Sequence, residues 1–345
     1  MDLAESIVRE AERIGFDMAG TAAVEASPHA GALRRWLASG HAAGMSWMAA
    51  RETERVDPRT AMPEAKSVIV VGLSYFSENP PPEMWNDPCR GRVARYAWGA
   101  DYHDVMLPML KELESFVMAE TGAKAFSRAY VDTGPVLERD VAERAGLGFT
   151  GKNTNLISRE FGSYVFIGEI LTAAEIGNSK LEMGKSSCGA CARCLSACPT
   201  GALAEPRVLD ARKCISYLTI EHRGVIPVEL RRAMGNWIFG CDECQQVCPW
   251  VIQHARRGKQ RFLKFSADTC APRLDELLAM DDGAFRERFK GTPVLRTKRS
   301  GLVRNAIIAA ANSGDRRFFQ SLEKLACDPD SAIRETAKWA MADGQ

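Results

Sequence analysis

CGACARCLSACPTG (residues 188–201) and GCDECQQVCPW (residues 240–250) are the stretches around which this chain is organised, with Cys214 standing alone between them. The first has the Cys-x2-Cys-x2-Cys-x3-Cys-Pro spacing of bacterial ferredoxins, in which three thiolates hold one [4Fe–4S] cube and the fourth ligates the other. By that crossing logic Cys188, Cys191 and Cys194 take Cys248 as the fourth ligand of cluster one. Cys198, Cys241 and Cys244 serve cluster two and lack one thiolate. Cys214, the spare cysteine between the runs, completes it. Zinc sites take two separated cysteine pairs rather than a four-cysteine run before proline. A disulfide framework suits a short secreted chain, which a chain of 345 residues is not. Two iron–sulfur clusters are therefore expected.

Length suggests two or three domains, and a hydrophobic fraction of 46% supplies sizeable cores. A net charge of +1 argues against a uniformly polyanion-binding surface but permits a local basic face. The acidic amino terminus has no signal pattern, and the longest apolar run, near Val68 to Phe76, is too short for a bilayer. A reduced compartment, the cytoplasm, and no membrane association are expected, because cluster thiolates must stay reduced. Cys89, Cys270 and Cys327 lie outside the cluster count and read as small buried or half-buried residues.

Residues 1–50 read as helices, with Leu3, Ile7, Ala11 and Ile14 at helical spacing. Residues 66–76 (KSVIVVGLSYF) read as a buried strand, followed by a surface loop over 79–87. Pro108 to Val117 reads as an amphipathic helix, Phe126 to Val131 as a strand, Gly134-Pro135 as the opening of a helix reaching Gly146, and Tyr164 to Leu171 as a further strand. This alternation over 1–175 indicates an α/β or α+β sandwich. The cluster module takes 176–255. Residues 256–345 begin with a basic run of Arg256, Arg257, Lys259, Arg261 and Lys264, interleaved with Phe262 and Phe265. Arg286, Arg288, Lys290, Arg296, Lys298, Arg299 and Arg304 follow, with Glu287 as the nearby acid in sequence. A weak period of 30, pairing Val303-Arg304 with Ile333-Arg334, suggests a HEAT-like helix pair, and a plain helical cap on the core explains it equally well.

Two clusters make a one-electron wire, and a wire needs a terminus. No Gly-x-Gly-x-x-Gly follows a strand, so a Rossmann nicotinamide or flavin site is unsupported. In the front half Asp132 stands at a strand end before Thr-Gly-Pro. It can be a buried general acid with a raised pKa or the N-cap of the next helix. Tyr102 can donate to a substrate or be half-buried core. Arg139 can meet a substrate or lie on a solvated helix.

The motifs Asp132-Thr-Gly-Pro-x-x-Glu138-Arg139, Ala145-Gly-Leu-Gly148, Gly151-Lys-Asn-Thr154, Gly162-Ser-Tyr, Ile215-Ser-Tyr-Leu-Thr219 and both cysteine runs together resemble the epoxyqueuosine reductase family over nearly the whole chain. The resemblance implies an oxidoreductase of queuosine biosynthesis. Such an enzyme carries two [4Fe–4S] clusters and cobalamin, and it removes the epoxide oxygen of epoxyqueuosine at the tRNA wobble position. It implies an α+β fold: a cobalamin-binding front half like that of nitroreductases and reductive dehalogenases, a ferredoxin-like module and HEAT-like terminal helices. Asp132 matches the family's proton donor, and Tyr102 and Arg139 match positions expected to face the modified base. Arg55, Asp132, Asn153, Asp242 and Glu243 are the expected cobalamin contacts. Asp101-x-His103 begins like the Asp-x-His-x-x-Gly signature of histidine-ligated cobalamin, but Met106 replaces its glycine, so no histidine ligand is expected. The basic segment gains an anticodon stem-loop as its partner. A monomer supplied by an external low-potential electron donor is expected. A corrinoid reductive dehalogenase and a non-catalytic iron–sulfur RNA-binding protein are the competing readings.

Overall fold

The computed structural model describes residues 2–122, 126–179, 187–259 and 266–343. Arg261, Phe262, Lys264 and Phe265 of the basic run lie outside the described residues. A four-stranded antiparallel sheet organises the front half, in the order Met18–Ala23, Ser67–Ser74, Val165–Thr172, Ser127–Tyr130. Every pairing in it is antiparallel, so the mixed fold is α+β rather than α/β. Side chains alternate across a strand, and each face has its own cover. Ile69, Val71, Leu73, Phe166 and Ile170 pack under the Leu3–Ile14 and Tyr102–Glu120 helices through Ile7, Ala11, Leu110, Leu113 and Val117. Val68, Val70 and Leu171 pack under the Glu138–Arg144 helix through Val141, Ala142 and Ala145.

Three local expectations are corrected. The Met18–Ala23 strand falls where helices were expected. Its residues (MAGTAA) are small and mostly unbranched, so tertiary pairing and not propensity makes the strand. Gly20 is required there because a Cβ would run into the carbonyl oxygen of Ala145. The second helix starts at Tyr102, with Pro108 inside it rather than at its first turn. Its cap is Asp101, whose carboxylate accepts the His103 backbone N–H at 3.0 Å and lies 2.7 Å from His103 Nδ1. That double role accounts for Asp101-x-His103 as a helix start, and Met106 is wholly buried in the core. Finally, Cys89 and Cys270 are buried as expected, but Cys327 is exposed.

Packing runs across the boundaries drawn at 175 and 255. Residues 237–239 pair in parallel with Arg92–Val93. One core joins Val93, Ala97 and Trp98 to Ile238, Phe239, Leu274, Leu302, Ile307 and Ile333. The tail consists of the Lys298–Ser313, Phe319–Leu325 and Ser331–Asp343 helices. Arg304, read from sequence as part of a basic face, is 1% exposed. Its guanidinium donates to the carbonyls of Leu218, His222 and Gly224 and to Asn305 Oδ1, bolting the tail to the cluster module.

Candidate active site and cluster cysteines

The structure brings one of the expected cysteine sets around a single cavity. Cys188, Cys191, Cys194 and Cys248 line one cavity of about 130 Å³ with Lys152, Asn153, Ile157, Pro249 and Trp250. Burial pushes the Cys244 thiol up, and Cys214, Asp242, Cys198 and Cys194 raise it further. The Cys248 thiol is raised by burial and then by Cys188 and Cys191. Iron would take these groups as thiolates. The Lys152 and Ala202 backbone N–H groups already point at sulfur, 3.4 Å from Cys188 Sγ and 3.3 Å from Cys198 Sγ, the kind of hydrogen bond that tunes a cluster's potential. Among the described residues no three His, Cys, Asp or Glu side chains converge on a single-ion site.

Asp132 sits at the exposed edge of the sheet, just past the Ser127–Tyr130 strand. The following helix begins at Glu138 with Leu137 as its cap residue, so the N-cap reading of Asp132 is overturned. Asp132 instead has φ +57°, a left-handed conformation a non-glycine residue holds only when its surroundings impose it. Tyr102 Oη donates to Asp132 Oδ2 at 2.7 Å. The Tyr102 ring is fixed in turn, stacked on Phe166 (4.3 Å between centroids, 9° between planes) and on His103. Gly134, two residues on, fits between Tyr130 and Glu169, and a Cβ there would lie 2.8 Å from the tyrosine ring and 3.0 Å from Glu169 Oε1. Arg55 Nη1 donates to the Gly134 carbonyl at 3.2 Å.

Arg139 is exposed and donates to the Thr154 carbonyl at 2.6 Å, joining its helix to the 151–155 loop. From that loop the buried Asn153 donates to the Cys244 carbonyl at 3.3 Å, and Lys152 Nζ donates to the carbonyls of Gly189 and Cys191. One short loop therefore links the Asp132 rim to both cysteine sets. Asp242 is buried. Burial pushes its carboxyl up to about 6, although the Arg95 backbone N–H donates to its Oδ2 at 2.7 Å. Glu243 turns elsewhere, accepting from Trp237 Nε1 at 3.0 Å. Thus Asp132, Tyr102, Arg139, Arg55 and Asn153 gather along one rim, and Glu243 does not join them.

Sequence reasoning missed two acids behind that rim. Glu169 lies in the middle of the Val165–Thr172 strand, fully buried, with neither carboxylate oxygen hydrogen-bonded. It shares its sheet face with the helix that carries Glu138, whose Oε1 is likewise buried and unpaired. Burial, reinforced by the Asp132 charge, pushes Glu138 up to about 8, and burial with the Glu138 charge holds Glu169 well above the usual carboxylate range. The available signal was a lone glutamate in an otherwise apolar strand, VFIGEILT.

A pH dependence of stability follows. Unfolded, Glu138 releases its proton near 4.5, whereas the fold retains it toward 8, and burial holds the Glu169 proton in the same direction. Between those values the native state binds more protons, so stability falls as pH rises, by about 1.4 kcal/mol per pH unit for each retained proton. Denaturant titrations from about pH 5 to about pH 8 should show this decline, and Glu169→Gln should flatten it relative to the parent. Parallel curves for the two proteins would remove the effect.

Comparison with known proteins places the chain in context. Residues 55–133 match the family model described as "Epoxyqueuosine reductase QueG, DUF1730", and residues 187–251 match a 4Fe-4S double cluster binding domain. An epoxyqueuosine reductase of Xanthomonas campestris is 38% identical over 99% of this chain and 96% of its own length. That of Escherichia coli is 36% identical over 99% and 89%. A solved epoxyqueuosine reductase with an epoxyqueuosine-modified tRNA-Tyr stem loop superposes with a TM-score of 0.89 at 33% identity, covering 99% of this chain and 90% of that one. One from Bacillus subtilis, described with its catalytic aspartate loop swung out of the active site, gives 0.88 at 31% over the same shares.

Proposed function

The chain belongs to the epoxyqueuosine reductase family, and from that premise we propose that it reduces epoxyqueuosine to queuosine at the wobble position of tRNA, with Asp132 as proton donor. The observation that carries the assignment is the exposed Asp132, pinned by Tyr102 on a rim that one loop joins to the cysteine cavity. The cavity and its sulfur-directed N–H groups suit [4Fe–4S] clusters. The rim suits a corrin with its peripheral amides and phosphate. Beneath it lie the buried Asn153 and the half-buried Arg55, whose Nε is buried and unpaired. When bound, the two clusters and cobalamin would supply single electrons and, at cobalt, a strongly reducing centre beside the epoxide.

The chain's own residues do the rest. Removing the epoxide oxygen breaks two C–O bonds, forms a C=C bond and releases water, which takes two electrons and two protons. Protonated Asp132 would donate to the departing oxygen. Tyr102, by donating to Oδ2, leaves the other oxygen of that carboxyl to carry the proton outward. Arg139, exposed and held by the Thr154 carbonyl, would contact the modified nucleotide at the same rim. Thiolate-held clusters need a reducing compartment, and the cytoplasm, a monomer and an external low-potential electron donor are further expected. Among the described residues no helix is long and apolar enough to cross a membrane.

The decisive experiment incubates the cluster- and cobalamin-loaded protein with epoxyqueuosine-containing tRNA and a low-potential reductant, then weighs the released nucleosides. Queuosine, one oxygen lighter, should accumulate. Unaltered epoxyqueuosine would sink the proposal.

The basic tail is the proposed tRNA-facing surface, but the fold spends much of its charge internally. Arg256 pairs with Glu160, Arg257 with Glu78, Arg288 with Glu276, Arg296 with Glu221 and Arg299 with Asp328. Lys259 donates to the carbonyls of Glu12 and Phe16. Glu287 is thus not the only acid near these cations. Among the described residues Arg286, Lys290 and Lys298 are exposed and make no ion pair. Binding should therefore weaken with salt along a log–log slope between about −2 and about −5, far shallower than a dozen free cations would give. A slope near −9 by titration would restore the whole run as a phosphate contact.

A further inference from the structure

Three carboxylates, Asp132, Glu138 and Glu169, surround one guanidinium, Arg55, at the root of the Asp132 turn. The groups facing Glu138 are Asp132, whose backbone N–H donates to it, Arg139, Arg55 and Glu169. Those facing Glu169 are Glu138, Asp132 and Arg55. Tyr102 approaches from the opposite sheet face. Asp132 and Arg139 lie at the exposed rim, so fully ionised Glu138 and Glu169 would set two negative charges against the one Arg55 guanidinium and leave one uncompensated, and burying an unpaired charge is prohibitive. At least one proton must stay. Its holders are identifiable by geometry: Glu138 Oε1 and both oxygens of Glu169 are buried without a hydrogen-bond partner.

This location is informative. A structural buried acid is ordinarily tied down by donors, whereas Glu169 has none and Glu138 leaves Oε1 without one. They also lie directly beneath the turn that carries the proton donor, with Glu169 Oε1 against Gly134. Each turnover of the proposed reaction consumes two protons, whereas Asp132 delivers one at a time. After donating, Asp132 becomes a third charge facing the pair, which raises the cost of leaving it ionised.

We propose that Glu138 and Glu169 hold a shared reserve proton that recharges Asp132 after it has donated, so that one turn of chain supplies both protons of the reduction. The proton leaves the glutamate pair for Asp132, the pair is refilled from solvent, and no electron or further reactant is involved. Glu138 and Glu169 are positioning residues that act through Asp132, which alone meets the substrate. This inference rests on the reading of Asp132 as the donor.

The first test does not use the reaction. Infrared difference spectra of the iron-loaded protein between about pH 5 and about pH 9 should show a carboxylic-acid carbonyl band that persists at neutral pH. The band should be lost or shifted in both Glu138→Gln and Glu169→Gln. Absence of any protonated carboxyl at pH 7, or a band untouched by either substitution, overturns the proposal even if the protein proves to act on another substrate. The second test is kinetic. Either amide variant should lower single-turnover product formation and steady-state kcat together, roughly ten-fold or more, with KM for tRNA unchanged. The alkaline limb of the kcat profile should move, and Glu138→Asp should restore part of the rate. An alkaline limb unmoved from the parent's, with no recovery in Glu138→Asp, would mark a purely structural role and refute the reserve. Should one variant fail to fold, the other and the parent spectrum still decide.

Discussion

Asp132→Asn is expected to lower turnover by a factor of about 10² to 10⁴, the range a positioned general acid contributes, with iron content and tRNA affinity retained. The substitution is nearly isosteric. An amide oxygen can still accept from Tyr102 Oη, which now donates to Oδ2 at 2.7 Å, so the turn and its φ of +57° should survive. What disappears is the transferable proton. Because the side chain is exposed, little packing is at stake and a fall in stability should be slight. Single-turnover assays with loaded enzyme provide the measurement, and a rate within two-fold of the parent would remove Asp132 from the chemistry. Tyr102→Phe makes an informative companion. It keeps the stack on Phe166 and removes only the donor to Asp132, so an intermediate loss is expected.

Cys214→Ser should reduce iron from about eight to about four atoms per chain, with the loss confined to one cluster. Cys214 is the ligand most distant from the two runs, and its assignment rests on counting, so it tests the partition more sharply than a cysteine within a run. The thiol lies at the start of the Ile215–Ile220 helix, largely buried, and is perturbed by Cys198. Serine there would offer a hydroxyl in place of a thiolate and leave three ligands. Turnover should vanish while the cavity of Cys188, Cys191, Cys194 and Cys248 still fills. Iron analysis with electron paramagnetic resonance of the reduced protein would show it. A chain that keeps about eight irons would return Cys214 to the structural cysteines.

The double-cluster domain was legible because its chemistry is written in short cysteine spacings that do not depend on the rest of the fold, whereas Cys214 follows from counting alone. Asp132 was legible as a position but not as a role. Acid and cap looked alike until the helix was found to begin at Glu138, six residues later. The sheet was half legible. Ser67–Ser74 and Val165–Thr172 announce themselves by β-branched residues, whereas Met18–Ala23 is a strand only because its neighbour pairs with it. Charge was read least well. Arg304 looks like its basic neighbours in sequence, yet it is buried on main-chain carbonyls, and the acids that neutralise Arg256, Arg257 and Arg296 come from distant segments. Glu169 shows the same blindness from the other side, since only the sheet brings it within reach of Asp132.

The interlocked core that joins residues 89–98, the 237–239 strand and the terminal helices has a consequence for how the protein survives in a cell. Ligand binding to the native state alone favours folding everywhere that the native state is cooperative. Metal loading in the middle of the chain should therefore protect the far terminal helices from proteases, although no cysteine of either set lies in them. Under iron scarcity the whole polypeptide, not one module, becomes the substrate for degradation.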